Sequence, residues 1–184
     1  LGTENRRAAL AGADYVVNAI QVGGYEPCTV TDFEIPRKYG LRQTIADTLG
    51  IGGIFRTLRT APVMLDFARD MEAVCPGAWF LNYTNPMAML TGVMLRGSAV
   101  KTVGLCHSVQ VCAPHLLRHL GIEAAELQWR IAGINHQGWL LEITDGGRDL
   151  YPEIKAKAAA MNAAKKHGDM VRFEVMRRFG YYMT

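Results

Sequence analysis

KTVGLCHSVQVCAPHLLRHLG, residues 101–121, passes from a β-branched apolar run into a helical one across a single Cys-His-Ser step. KTVGLC reads as a short strand. VQVCAPHLLRHLG spaces its apolar residues along one helical face, and Gly121 supplies the stop. The pattern extends in both directions. Upstream, NRRAALAGA has helical composition and feeds the strand-like DYVVNAI (residues 14–20). From Thr60 a second helical face formed by Ala61, Met64, Leu65, Ala68 and Met71 runs to the break Cys75-Pro76-Gly77, and AWFLNY then has strand character. Downstream, LQWRIAGIN and GWLLEITDGGRDLYP read as strands, the second turning at Asp145-Gly146-Gly147. PEIKAKAAAMNAAKKHG, with Pro152 in its opening turn, and DMVRFEVMRRFGYYMT read as closing helices. Alternating helices and strands predict an α/β fold with a doubly wound parallel sheet, whose ligands collect past the carboxyl ends of the strands. The stretch at residues 21–55 is broken by glycine and proline and reads as a functional loop holding one short helix.

The 184 residues, about half of them apolar, suffice for a real core. Twenty Lys and Arg against 17 Asp and Glu are dispersed along the chain, so the net charge of +3 marks no basic patch and no nucleic-acid partner is expected. No apolar run has membrane-spanning length, and no membrane partner is expected. Four cysteines without a C-x-x-C pair fit a reducing compartment, and the cytoplasm is expected. Leu1 in place of a methionine, and a start on a helix that feeds a strand, predict an internal piece of a longer protein.

Candidate chemistry lies just after the strands. Cys106 and His136, 30 residues apart, admit three readings: two ligands of a divalent ion with positions left open for substrate oxygens, a thiol nucleophile with its base, or a buried cysteine beside a hydrogen-bonded histidine. QVGG lets backbone amides approach a dinucleotide, although the G-x-G-x-x-G fingerprint is absent and GIGG at residues 50–53 follows no strand. Asn85, ahead of Pro86, is either a ligand-directed amide or a turn initiator. Tyr181 and Tyr182 are a candidate base or packing aromatics. Arg56 and Arg59, near an expected helix start, either hold an anion or belong to a solvated face. His115 and His119 have metal-capable spacing without an accompanying Glu and are read as surface histidines.

Taken together, ADYVVNAIQVGGYEPCTVTDFEIPRKYGLRQTIADTLGIGGI, LNYTNPMAML, VGLCHSVQ, AGINH and VRFEVMRRFGYYMT resemble the NAD- and divalent-metal-dependent glycoside hydrolases of family four, in particular the α-galactosidase branch. The resemblance spans residues 13–184, and GLCHSVQ with AGINH is its specific combination. It implies a Rossmann-like, lactate/malate dehydrogenase-like sheet lacking its first strand. Residues 1–106 would be the later part of an NAD domain, and 107–184 the start of an α+β substrate domain. It implies Cys106 and His136 as Mn²⁺ ligands, and Ile20, Gln21, Val22, Gly23 and Gly24 along the dinucleotide. Asn85 and Asn135 would face substrate, Asp47 would be the acidic loop residue near it, and Tyr181 the catalytic base. His107 stands where the phospho-sugar branch carries an aspartate acid, which makes a phosphorylated substrate less expected.

The implied reaction is α-galactoside hydrolysis through NAD-dependent oxidation at C3, metal-assisted loss of the C2 proton and elimination, an exception to the usual pair of carboxylates. The alternatives are an α-glucuronidase or α-glucosidase of the same family, or a 2-hydroxy-acid dehydrogenase of the same fold. A small-molecule glycoside is the expected partner, a homo-oligomer the expected full-length assembly, and the isolated piece is expected to be unstable and inactive.

Overall fold

The computed structural model describes residues 2–45 and 47–184. It divides into two compact units, one ending at Leu105 and the other running Cys106–Thr184.

In the first unit α1 (Arg6–Leu10) is capped by the Asn5 side chain, which accepts from Ala8 N at 3.1 Å. β1 (Tyr15–Asn18), β2 (Trp79–Asn82) and β3 (Lys101–Gly104) form a parallel sheet in that order, with Tyr15 opposite Trp79 and Trp79 opposite Lys101. The crossovers are α2 (Val30–Lys38) and α3 (Gly50–Val74) between β1 and β2, then α4 (Met87–Gly97) between β2 and β3. Parallel neighbours require such crossovers, and their apolar faces close a core around Met64, Met71, Phe80, Leu90 and Met94. Arg6 and Arg7 clamp α1 onto α3 through Asp70.

Three elements depart from the sequence reading. α3 starts ten residues before Thr60, because Gly52 and Gly53 bury against the preceding turn: a β-carbon on Gly53 would lie 2.9 Å from the Thr48 backbone. The region read as a loop with one short helix contains a kinked helical turn at Gly24–Thr29 as well as α2. The last residues do not continue a helix, since Gly180 ends α7 at φ 87° and the chain then forms a strand.

In the second unit α5 (His107–Leu120) is stopped by Gly121 at φ 60°, as its sequence predicts. β4 (Leu127–Ile134), β5 (Gln137–Asp145) and β6 (Arg148–Asp149) form an antiparallel meander, and β7 (Tyr182–Met183) adds to the other edge of β5. α6 (Tyr151–Ala164) and α7 (Met170–Phe179) complete it. The core gathers Leu116, Leu140, Ile143, Ile154, Phe173 and Tyr182. Burial pushes the Tyr151 phenol up to about 12; its hydroxyl donates to the Leu140 carbonyl and accepts from Tyr182 N at 3.1 Å, a structural role.

His119 is not the surface histidine expected. Its Nδ1 lies 2.7 Å from Oδ2 of buried Asp169, which also pairs with Arg172. Burial pushes the Asp169 carboxyl up, but the hydrogen bond from His119 and the nearby Arg172 charge outweigh it and hold the group below the ordinary carboxylate range. The folded carboxyl therefore binds its proton less tightly than the unfolded one. Its contribution is present above the unfolded value of about 4 and is lost as the pH falls through the lowered folded value. In the full-length protein, Asp169→Asn is expected to cost about 3 kcal/mol at neutral pH, read by urea denaturation. The difference from wild type should shrink as the pH falls below about 4.

Candidate active site

Cys106 stands two residues past β3, at the N-cap of α5 with extended backbone (φ −143°, ψ 141°), and its side chain makes no capping hydrogen bond. The sulfur lies 3.4 Å from Ser108 Oγ and 3.8 Å from His136 Nε2. His136 is the second residue of the two-residue loop joining β4 to β5, where Ile134 faces Gln137. Its φ is 137°, the only positive value of a non-glycine among the described residues. Such a conformation crowds the β-carbon and belongs to glycine, and strain of this kind, about 1–3 kcal/mol, collects at functional positions. Gly133 at the base of the hairpin, also at φ 137°, keeps the two strands close: a β-carbon there would lie 2.9 Å from the Gln137 carbonyl oxygen.

The pair suits a shared cation. Thiolate and imidazole ligands at about 2.3 and 2.1 Å from one ion lie roughly 3 to 4 Å apart. The amide nitrogen of Asn135, next to His136, is buried without a hydrogen-bond partner, a donor that awaits an acceptor. Among the described residues no group of three or more His, Cys, Asp and Glu converges. An ion held here would therefore keep positions open to ligands from outside such a cluster. His107 is exposed in the first turn of α5.

Other nominated residues belong to the first unit, where the parallel strand tips are fixed by a buried polar network that sequence reasoning missed. Asn18 Nδ2 donates to Asn82 Oδ1 at 2.8 Å and to Thr84 Oγ1 at 3.0 Å, while Asn82 Nδ2 donates to the Thr84 carbonyl at 3.2 Å. The signal was an asparagine ending each of two apolar runs, VVN and FLN, which the parallel register sets opposite each other. The loop at residues 20–24 hangs from this network with alternate carbonyls turned inward. Ile20 O accepts from Thr84 Oγ1 at 3.0 Å, Val22 O from Arg59 Nε at 3.3 Å, and Gly24 O from Thr29 Oγ1 at 3.3 Å. Gln21 Nε2 donates to Thr29 Oγ1 at 3.1 Å. Gly23, at φ 84°, has no room for a β-carbon against Cys28.

Asn85, in a turn closed by a cis bond to Pro86, donates through Nδ2 to Asp47 Oδ2 at 3.3 Å, so the two nominated substrate-facing residues of this unit meet. The neighbouring Thr48 hydroxyl is buried without a partner. Arg56 and Arg59 lie in the second and third turns of α3 and turn inward, not onto a solvated face. They sit inside α3, Arg56 bonded to Asn85 O and Thr29 Oγ1, Arg59 paired with Asp32 at 2.7 Å.

The tyrosines separate. Tyr182 is buried, and burial pushes its phenol far up, which removes it as a base. Tyr181 is exposed and lines an open pocket of 530 Å³ with Asp149, Tyr151 and Lys155, its ring edge-on to Tyr151 at 5.8 Å. Tyr181 precedes β7, whereas Tyr182 lies in it and lines a separate pocket with Ser108 and Cys112. The structure does not bring Tyr181 to the Cys106–His136 pair.

Residues 2–122 match the model for the family 4 glycosyl hydrolases, and residues 131–184 match that for the family's C-terminal domain. The chain belongs to family 4 of the glycosyl hydrolases. It is 65% identical over 181 residues to an α-galactosidase of Bacillus subtilis (strain 168), covering 98% of this chain and 42% of that protein. To an α-galactosidase of Rhizobium meliloti (strain 1021) it is 41% identical over 183 residues, 99% of this chain and 37% of the relative. Among solved structures it superposes with a TM-score of 0.81 on a 6-phospho-α-glucosidase from gut microorganisms in complex with NAD and Mn²⁺, at 23% identity, over 98% of this chain and 44% of that one. The chain thus spans about two fifths of the length of these relatives.

The strained hairpin gives a test that separates stability from ligation. In the full-length protein His136→Gly should be more stable than His136→Ala by about 1 kcal/mol or more, measured by denaturant unfolding, while both lose Mn²⁺ affinity. Equal stabilities would mean that position 136 carries no strain.

Proposed function

We propose that the full-length protein hydrolyses α-galactosides with NAD⁺ and Mn²⁺. The observation that carries the reading is the 3.8 Å approach of Cys106 Sγ to His136 Nε2 on a strained hairpin, in a chain 65% identical to an α-galactosidase. Bound NAD⁺ supplies a hydride acceptor, and the divalent ion a Lewis acid for sugar oxygens.

The chain's own residues divide the remaining work. Cys106 and His136 hold the ion, Cys106 as a thiolate. A soft sulfur is a poor match for so hard an ion, so such a pair would bind it with modest affinity and would leave positions for oxygen ligands. The loop at residues 20–24, its carbonyls at 20, 22 and 24 tied inward, lines the cofactor. Asp47 and Asn85, already hydrogen-bonded to each other, present an acceptor and a donor suited to neighbouring sugar hydroxyls. Asn135 offers its unpartnered amide beside the ion. His107, exposed in the first turn of α5, orients or protonates the departing oxygen. With both groups bound, a ketone at C3 would acidify the C2 hydrogen, solvent water would take that proton, and the product would carry solvent hydrogen at C2. Tyr181, nominated as base by resemblance, lies apart from the pair and receives no role in this reading. Four unpaired cysteines fit an enzyme working in the reducing cytoplasm.

The test is product labelling. The full-length protein, given an aryl α-galactoside, NAD⁺ and Mn²⁺ in D₂O, should release galactose carrying deuterium at C2. Galactose with only hydrogen at C2 would return the reaction to ordinary acid–base hydrolysis. Faster turnover of an α-glucoside or α-glucuronide in the same assay would move the substrate assignment within the family. Net NADH accumulation with a 2-hydroxy acid would replace it with a dehydrogenase.

A further inference from the structure

Arg56 is buried, 8% exposed, in the second turn of α3. Its Nε donates to the Asn85 carbonyl at 3.2 Å and its Nη1 to Thr29 Oγ1 at 3.2 Å. Thr29 Oγ1 in turn accepts from Gln21 Nε2 at 3.1 Å and donates to the Gly24 carbonyl at 3.3 Å. One guanidinium thus reaches both the turn that carries Asn85 and the loop at residues 20–24, segments separated by some sixty residues of chain. Both partners are neutral, and among the described residues Arg56 has no ion pair, whereas Arg59, one helical turn on, has Asp32.

A buried cation without a carboxylate is costly. A tie between a carbonyl and a hydroxyl needs no charge, and a neutral amide would serve at lower cost. What a guanidinium adds is a rigid fork that sets two acceptors at a fixed angle, and a positive charge that an anionic ligand would offset. Asn85 receives this control through its main chain: the carbonyl is held by Arg56 and the side-chain amide by Asp47, which together fix where the amide stands.

We propose that Arg56 is a positioning residue, holding the cofactor-side loop and the substrate-side turn in one arrangement through Thr29 and the Asn85 carbonyl. The assignment rests on the proposed function, because that reading makes residues 20–24 the cofactor loop and Asn85 a substrate contact. Arg56 touches neither ligand itself. It gives the two segments one common support, each through its own hydrogen bond.

The experiment uses full-length protein with two separate readouts: NAD⁺ affinity by calorimetry, and KM for an aryl α-galactoside at saturating NAD⁺ and Mn²⁺. Arg56→Met should weaken NAD⁺ and raise KM, each by about tenfold or more. Arg56→Lys should restore most of the NAD⁺ affinity by keeping the charge, but not the KM, which needs the fork. Asn85→Ala should raise KM alone, and in its background Arg56→Met should add little further to KM while still weakening NAD⁺, the non-additivity expected of residues acting as one unit. Thr29→Val, a mild change that cuts only the cofactor-side link, should weaken NAD⁺ several-fold and leave KM unchanged. It decides the case if Arg56→Met fails to fold. Unchanged NAD⁺ affinity in Thr29→Val, or a KM loss from Arg56→Met that is undiminished in the Asn85→Ala background, overturns the proposal. Wild-type protein that binds NAD⁺ but turns over no α-galactoside would instead overturn the functional reading, and the Thr29 and Arg56 effects on NAD⁺ would still judge the cofactor half of the link.

Discussion

The approach of a sulfur at the start of α5 to an imidazole in the β4–β5 hairpin is the constraint on which the second unit's chemistry depends. It is held at a cost. Cys106 gives up a capping role that Ser, Thr, Asp or Asn would fill better, and His136 occupies backbone that glycine would adopt without strain. Two departures from local preference at two adjacent side chains support the proposed ligand role over a stabilising one. The glycine at 133 that narrows the hairpin, and the buried amide of Asn135 that finds no protein acceptor, belong to the same economy.

The first unit pursues a different end by similar means. Its parallel sheet brings Asn18 and Asn82 side by side at the carboxyl edge, and from that buried pair the network runs through Thr84 to the loop at residues 20–24. Buried polar groups that satisfy one another fix a single arrangement more strongly than apolar packing does, because every alternative leaves a donor or acceptor unpaired. Arg56 and Arg59, a helical turn apart on α3, extend that order to the carbonyls of Asn85 and Val22. A loop of glycines would otherwise have many conformations to choose among.

Much of this was legible in the residues. The strands at DYVVN, AWFLN and KTVG, the helix after Cys106 with its stop at Gly121, and the turn at residues 145–147 follow from apolar spacing and turn chemistry alone. Cys106 and His136 stand out as a pair because each follows a strand-like run; spacing leaves three readings open, and the family resemblance selects the metal. What stayed hidden was long-range. Nothing local to RTLRT shows that its arginines turn inward to carbonyls, since the acceptors lie 29 and 37 residues away. The i, i+4 histidines of HLLRH look alike in sequence, yet only His119 meets a buried carboxylate, supplied by α7. The final GYYMT continues a helical composition, and only the free edge of β5 makes a strand of it. Tyr181 illustrates the same limit, for register with a motif cannot say which pocket a phenol will line.

Manganese X-ray absorption on the full-length protein tests whether the Cys106 sulfur and the His136 imidazole bind one cation. A shared ion gives a sulfur neighbour in the metal's coordination shell that disappears in Cys106→Ser, whereas a shell of oxygen and nitrogen alone in the wild-type protein would rule the shared ion out.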